Sequence, residues 1–201
     1  MPVSINGNTG VVTGLAVGGL PDGTVDADTL ASNAVTAGKL ASGVGGKILQ
    51  VVSATKTDQF TTTSSSAVDI TGLSVSITPS SSSNKILVSF HCSASMEDDG
   101  YRGGVILVRD STKIYVGDAG GNRTQLSRYV QQDRNTQELF SLAGQHLDTP
   151  STTSAITYKI QAISLDAGRQ FNLNFGYDDG SQNHSTRTRT ASSITVMEVA
   201  A

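Results

Sequence analysis

The sequence predicts an all-β chain: an antiparallel β-sandwich of the jelly-roll kind on the C-terminal side, carried on an extended N-terminal arm. Three observations predict it. Serine and threonine make up about a quarter of the 201 residues and glycine adds 21 more, a composition poor in straight-chain helix formers and rich in strand and turn residues. From residue 47 onward, run after run alternates apolar with polar side chains, the period of two of a half-buried strand. Residues 1–46, by contrast, hold no aromatic residue and four charged ones, Asp22, Asp26, Asp28 and Lys39.

The division this implies is an arm over residues 1–46 and a head over residues 47–201. At the extreme N-terminus Val3, Ile5, Asn6, Gly7 and Val11 read as a short hairpin turning at Asn6-Gly7, the favoured two-residue turn pair. An isolated hairpin is marginal, so this one is expected to become ordered on a docking partner or on its own trimer mates, and to act as an anchor. Beyond it, Thr24-Val25-Asp26-Ala27-Asp28-Thr29-Leu30-Ala31-Ser32 repeats as Ala34-Val35-Thr36-Ala37-Gly38-Lys39-Leu40-Ala41-Ser42. The large apolar residues Leu15, Leu20, Val25, Leu30, Val35 and Leu40 recur at every fifth position. Neither a helix nor a flat strand puts every fifth residue on one side. One copy also has too few large side chains to offset the entropy of ordering it, roughly 1–2 kcal/mol per residue. Two outcomes remain: a disordered linker, or three copies wound about a common axis with the ladder between them. A linker needs no regular ladder, so the expectation is a homotrimeric stalk.

Within the head, residues 47–52 read as an apolar strand and residues 55–66 as a polar connection around Phe60. Val68 and Ile70 keep even parity while Leu73, Val75 and Ile77 keep odd parity, a slip at Thr71-Gly72 that predicts a β-bulge. Pro79 and the Ser/Asn run after it turn the chain into a strand over residues 85–94, where Ile86, Val88, Phe90, Cys92 and Ala94 share one face. That parity makes the single cysteine a small buried hydrophobe rather than a reactive thiol. Val105-Ile106-Leu107-Val108 and Lys113-Ile114-Tyr115-Val116 flank Arg109-Asp110-Ser111-Thr112 as a hairpin. Residues 118–137 are largely polar, with Leu126, Tyr129 and Val130 spaced for one short helical turn or an edge excursion. Residues 139–147 form the next strand. Ile156, Tyr158, Ile160 and Ala162 then alternate, and after the break at Asp166-Ala167-Gly168 so do Phe171, Leu173, Phe175 and Tyr177, a pattern read as an antiparallel hairpin. Ser193 to Val199 closes the chain. Eight to ten strands with no long helix indicate a two-sheet sandwich or jelly roll. Residues 47–52 and 105–108 are apolar in both parities, so a second cover is expected for their outer faces, supplied by another subunit.

Composition also bounds the function. The 14 basic against 17 acidic residues leave a net charge of −3, which offers nucleic acid no attraction. No apolar run approaches the roughly 20 residues of a membrane span, and Met1-Pro2-Val3-Ser4 lacks the basic start of a signal peptide. No membrane insertion is expected, and the chain is expected to be made and kept in the cytoplasm until assembly. His91, His146 and His184 have no metal-ligand spacing, and no nucleophile elbow, phosphate loop or paired catalytic carboxylate is present. Neither enzyme activity nor a cofactor or metal is expected. The acidic run Glu97-Asp98-Asp99-Gly100 is a solvated loop in the first reading and a hard-cation site in the second. Recognition, if any, belongs to loops on the rigid sandwich: Tyr101, Arg102, Arg128, Tyr129, Tyr177, His184 and Arg187 offer the aromatic faces and guanidinium groups that glycan or polar protein recognition uses.

Several stretches resemble a known family. Leu147-Asp148-Thr149-Pro150-Ser151-Thr152-Thr153-Ser154-Ala155-Ile156-Thr157-Tyr158-Lys159, the ending Ser192-Ser193-Ile194-Thr195-Val196-Met197-Glu198-Val199, and Val68-Asp69-Ile70-Thr71-Gly72-Leu73-Ser74-Val75-Ser76-Ile77-Thr78-Pro79 look like the C-terminal domain of virion fibre proteins from tailed bacteriophages, particularly those of cyanobacteria and other aquatic hosts. In the arm, Ile5-Asn6-Gly7-Asn8-Thr9-Gly10 and the paired Val-x-Ala-x-x-Leu-Ala-Ser units resemble the virion-proximal parts of such fibres. The resemblance implies a virion location, an arm that attaches to another virion structural protein and trimerises, and a jelly-roll head similar to the tumour-necrosis-factor fold that contacts a host surface glycan or protein. The short arm implies a short appendage, a small tail or baseplate fibre; the alternative is a trimeric capsid decoration, head-fibre or cement protein without an essential receptor-binding role.

Overall fold

Alternation of small polar and branched apolar residues along the head builds two packed sheets. The computed structural model describes residues 4–6, 11–13, 35, 46–133, 138–176 and 188–201, and the chain divides into two units, residues 1–46 and 47–201. In the first unit β1 (Ser4–Asn6) pairs antiparallel with β2 (Val11–Thr13). The hairpin is present, but Asn6 pairs with Val11 in the ladder, so it is not half of the two-residue Asn-Gly turn expected. Of the ladder only Val35 falls among the described residues, and it is 48% exposed; Leu15, Leu20, Val25, Leu30 and Leu40 lie outside them, as do Val3 and Gly7.

The second unit starts with β3 (Ile48–Lys56) and β4 (Phe60–Thr62), followed by β5 (Val68–Ile77) and β6 (Lys85–Met96). Then come β7 (Arg102–Arg109), β8 (Thr112–Ile114), β9 (Arg128–Gln131), β10 (Phe140–Asp148), β11 (Ile156–Ser164), β12 (Phe171–Leu173) and β13 (Ser192–Val199). One edge of β6 takes β10; its other edge takes β13 along Lys85 to His91 and β12 along Ala94 to Met96. β3 pairs with β13 and β4 with β12, so β3 and β4 share one strand position and β12 and β13 another. In the facing sheet the order is β5-β11-β7, with β8 and β9 dividing the free edge of β7. The result is two four-position antiparallel sheets, a jelly-roll-like sandwich.

Several expectations hold at residue level. β11 steps from Lys159, paired with Ser74, to Gln161, paired with Asp69. Gly72 sits in the extra loop of β5 at φ +90°, so the bulge is where the parity slip placed it, and Ile70 and Leu73 both point inward. β7 and β8 form the expected hairpin with Arg109 opposite Thr112. Cys92 is fully buried and its thiol is pushed up to about 12 by burial.

Other expectations fail for physical reasons. β11 and β12 do not form a hairpin: β11 pairs with β5 and β7, β12 with β4 and β6, in opposite sheets. Their apolar faces meet across the core, and the 165–170 connection crosses between the sheets. The supposed polar connection 55–66 contains the end of β3 and all of β4. Of the two readings of residues 118–137 only the helical turn fails, being absent among the described residues; the edge excursion holds, since Tyr129 and Val130 lie on β9 at the free edge of β7. At β7 the outer face is covered by the chain itself, since Ile106, Val108 and Ile163 form a second apolar cluster packed against Val116, Leu126, Leu165 and Ala67. No second subunit is required there.

The interruption between β12 and β13 is closed by one side chain. Asn174, fully buried, adopts φ +66°, a left-handed conformation that asparagine tolerates better than most residues. Its Nδ2 donates to the carbonyls of Lys56 and Asp58, both at 2.9 Å, and its Oδ1 accepts from Ser192 Oγ at 2.6 Å. Asn174 thereby joins the break after β3 to the break before β13. With each net hydrogen bond worth about 1 kcal/mol, Asn174→Ala is expected to destabilise the head by about 3 kcal/mol in a urea titration. Asn174→Gly removes the same bonds without left-handed strain and should lose less.

Candidate functional site

The surface residues singled out for recognition fall into three groups. Tyr177, His184 and Arg187 lie outside the described residues. Arg128 lies on β9 but its donors are spent internally. Nε donates to the Ala143 carbonyl of β10, Nη1 to the Ser127 carbonyl at 2.8 Å, and Nη2 to the Tyr115 hydroxyl at 2.6 Å. The guanidinium stands 5.0 Å from the Tyr115 ring centroid, and Tyr115 stacks in turn on His146 at 5.5 Å. Gly144 belongs to this stack, because a Cβ there would lie 2.5 Å from Phe90 and 2.8 Å from Tyr115. Arg128 therefore fastens β9 to β10 across the sandwich edge.

Tyr101, Arg102 and Tyr129 surround the start of β7. The Tyr101 ring is capped by the Arg169 guanidinium at 4.3 Å, and Arg169 is paired with Glu97 at 3.0 Å. Arg102 donates from Nε (3.2 Å) and Nη2 (2.6 Å) to the two oxygens of Asp166, whose Oδ2 also accepts the Arg102 backbone N–H at 2.7 Å. The Arg102 hydrogen bond holds the Asp166 carboxyl below the usual carboxylate range. Arg102 remains 52% exposed, so water screens the pair and its contribution to stability is small. Its geometric effect is to pin the crossing connection against β7.

Beside that pair runs a groove of about 590 Å³, lined by Arg102, Gly117, Asp118, Arg123, Thr124, Gln125, Leu126, Tyr129 and Leu165. The floor is the Leu126–Leu165 side of the outer apolar cluster. Tyr129, 49% exposed, presents its ring while its hydroxyl donates to Gln131 Oε1 at 2.6 Å. Gln125 donates to the Gly117 carbonyl at 2.6 Å, which shapes the rim. Arg123, on the same polar loop, brings to the groove a guanidinium with no ion pair among the described residues. An aromatic face beside a guanidinium suits a hydroxyl- or carboxylate-bearing ligand. The groove brings Arg102 and Tyr129 together, and leaves Tyr101 and Arg128 in other contacts.

The acidic loop is also committed. Glu97 accepts from Arg169 and from the Gln170 N–H, at 3.0 Å each, and Asp98 Oδ1 accepts the Asp99 N–H at 2.8 Å. Among the described residues no three His, Cys, Asp or Glu side chains gather as a metal site, and no helix is long and apolar enough to cross a membrane.

A different acid, overlooked in the surface inventory, is the most tightly held. Glu198 on β13 is 1% exposed. Its Oε1 accepts from the Ser80 N–H (2.7 Å), Ser80 Oγ (2.7 Å) and Asn84 Nδ2 (2.6 Å), and its Oε2 from Gln50 Nε2 (2.6 Å). Burial pushes its pKa up, but these donors outweigh burial and bring it down to about 2. The signal was available: Ile194, Val196 and Glu198 share the inward parity of the last strand.

No protein-family model matches the sequence, and no curated protein matches it. Solved structures align over most of the chain. One is of T=1 particles derived from infectious bursal virus, at 14% identity and a TM-score of 0.39, covering 76% of this chain and 36% of that one. Another is of the Gx strain of infectious bursal disease virus, at 11% identity and 0.39, covering 75% and 40%. A third is of the VP2 subviral particle of that virus, at 16% identity and 0.38, covering 75% and 38%. The chain thus spans well under half the length of the chains it aligns with.

Proposed function

We propose that the protein is a structural component of a tailed-bacteriophage virion. It is a homotrimeric appendage whose arm attaches to the particle and whose jelly-roll head, of the tumour-necrosis-factor kind, projects from it. Of the two placements, capsid decoration is favoured over a receptor-binding tail or baseplate fibre. One observation carries that preference: the cationic and aromatic residues best suited to recognition, Arg102, Arg128 and Tyr101, are engaged by Asp166, Tyr115 and Arg169 within the head. Such side chains rigidify a head that must survive as particle surface. The sequence resemblance and the arm's ladder support the appendage reading.

Cryo-electron microscopy of virions carrying a labelled copy tests the placement. Capsid decoration predicts label on the shell, with lowered capsid stability and intact host adsorption when the protein is removed. Label at the tail tip with lost adsorption overturns it in favour of the fibre reading, which the groove at Arg123 and Tyr129 supports. In that case Arg123→Ala together with Tyr129→Ala should reduce adsorption by about tenfold or more, because three heads engage together and each loses contacts.

A further inference from the structure

The outward side of the β3-β13-β6-β10 sheet carries a feature the interior does not require. Register sets Val51 beside Met197, Met197 beside Leu87 and Leu87 beside Leu147, so a row of large apolar side chains crosses all four strands. Val51 is 56% exposed and Leu147 47%. The row widens at β3 through Ile48 and Leu49, 47% and 49% exposed, and through Val199, paired with Ile48 at the irregular end of the ladder. Neighbouring rows are Ser53, Thr195, Ser89 and Gln145, then Thr55, Ser193, His91 and Ala143. Single exposed leucines are ordinary on protein surfaces, whereas a contiguous apolar patch marks an interaction site.

We propose that this face is where copies of the chain meet one another, an inference that rests on the homotrimer reading above. Charge points to a second copy. Of 14 basic and 17 acidic residues, these rows contain one, Lys85, beside Val199. A charged partner finds no complement there, while identical faces can approach without opposing like charges. Small Ser, Thr and Ala side chains around the row permit the spacing of about 10 Å at which sheets pack.

The path of the chain points the same way. The apolar ladder of the arm ends at Leu40, and the head begins with β3, the strand that carries Ile48, Leu49 and Val51. Size sets the share each part contributes. Four strands about 4.8 Å apart and eight residues of about 3.3 Å rise give a face of roughly 500 Å². That is short of the roughly 800 Å² per partner of a standard interface, so the face supplements the arm rather than replacing it.

Sedimentation of the full chain over a concentration series tests this, comparing wild type with the double variant V51E/L147E. Both positions are about half exposed, so the new carboxylates remain in water, and unchanged circular dichroism confirms the fold. The variant should dissociate at about a hundredfold higher concentration than wild type, each apolar side chain being worth roughly a factor of ten when buried. Mixing it with V51K/L147K should recover part of the lost affinity, because a mixed trimer sets opposite charges against each other at two of its three contacts, which only direct contact between the faces produces. A V51E/L147E chain that assembles like wild type, or one not rescued by the lysine variant, overturns the inference and leaves the trimer reading standing. A wild-type chain that stays monomeric at micromolar concentration overturns both.

Discussion

Replacing Asp148 with alanine is expected to lower the stability of the head by about 3–5 kcal/mol, read from urea denaturation midpoints. Asp148 lies on β10, is 7% exposed, and receives Arg109 Nη1 at 2.9 and 2.8 Å from its two oxygens, with Arg109 on β7 of the opposite sheet. The Tyr158 hydroxyl, on β11 and fully buried, donates to the same carboxylate at 2.7 Å. Burial and then the neighbouring carboxylate push the Tyr158 phenol well above its ordinary pKa, so it is a neutral donor at every working pH. Alanine would leave a part-buried guanidinium and a buried phenol without an acceptor, and would unlink the two sheets where β10 ends. Tyr158→Phe removes one bond to a charged acceptor while leaving the Arg109 pair. It should lose about 1.5–3 kcal/mol, less than Asp148→Ala. Equal losses would mean that the hydroxyl, not the ion pair, holds the sheets together. A loss below about 1 kcal/mol for Asp148→Ala would mean that water already reaches this carboxylate.

The strands that could be read from sequence are those long enough to show a period. β6 alternates over Ile86, Val88, Phe90, Cys92 and Ala94, and each of these points inward. The β5 bulge was visible because a parity slip coincided with a glycine able to take positive φ. Pairing was less visible. Alternation says which face is buried, but in a sandwich both sheets bury one, so Ile156-x-Tyr158-x-Ile160 and Phe171-x-Leu173 looked like partners although they face each other across the core. Three-residue strands such as β4 have no measurable period and exist because β12 offers them a ladder. Apolar residues in both parities at β7 foretold a second cover, but not that residues 116 and 126 of the same chain provide it. At the surface, residue type identified Arg102 and Arg128 as donors. Nothing local revealed that Asp166 and the Ala143 carbonyl accept from them, since those contacts are set by the packing of distant strands.

The Glu198 carboxylate should make the head acid-sensitive in a defined window. Its pKa in the folded chain is about 2 against an ordinary 4.5, so the unfolded chain binds the proton first as pH falls. Its stabilising contribution is complete above about pH 4.5, declines below that, and is gone once pH passes below about 2. A difference of about 2.5 pKa units corresponds to roughly 3 kcal/mol. Structurally, protonation would oppose a hydroxyl to Ser80, Asn84 or Gln50, each already donating, and would release the 79–84 turn that joins β5 to β6 from the last strand. Glu198→Gln makes the same change at every pH, because its amide N–H₂ opposes a donor to a donor where the carboxylate oxygen accepted. At pH 7 the variant is expected to be about 3 kcal/mol less stable than wild type, and the two stability curves should converge between pH 4.5 and 2. Parallel curves over that range would show that the acid response comes from other carboxylates. The exposed carboxyls of Asp58 and Asp69 are also held low, by Lys56 and Lys159, but solvent screening leaves them little stability to lose, so the convergence should belong to Glu198.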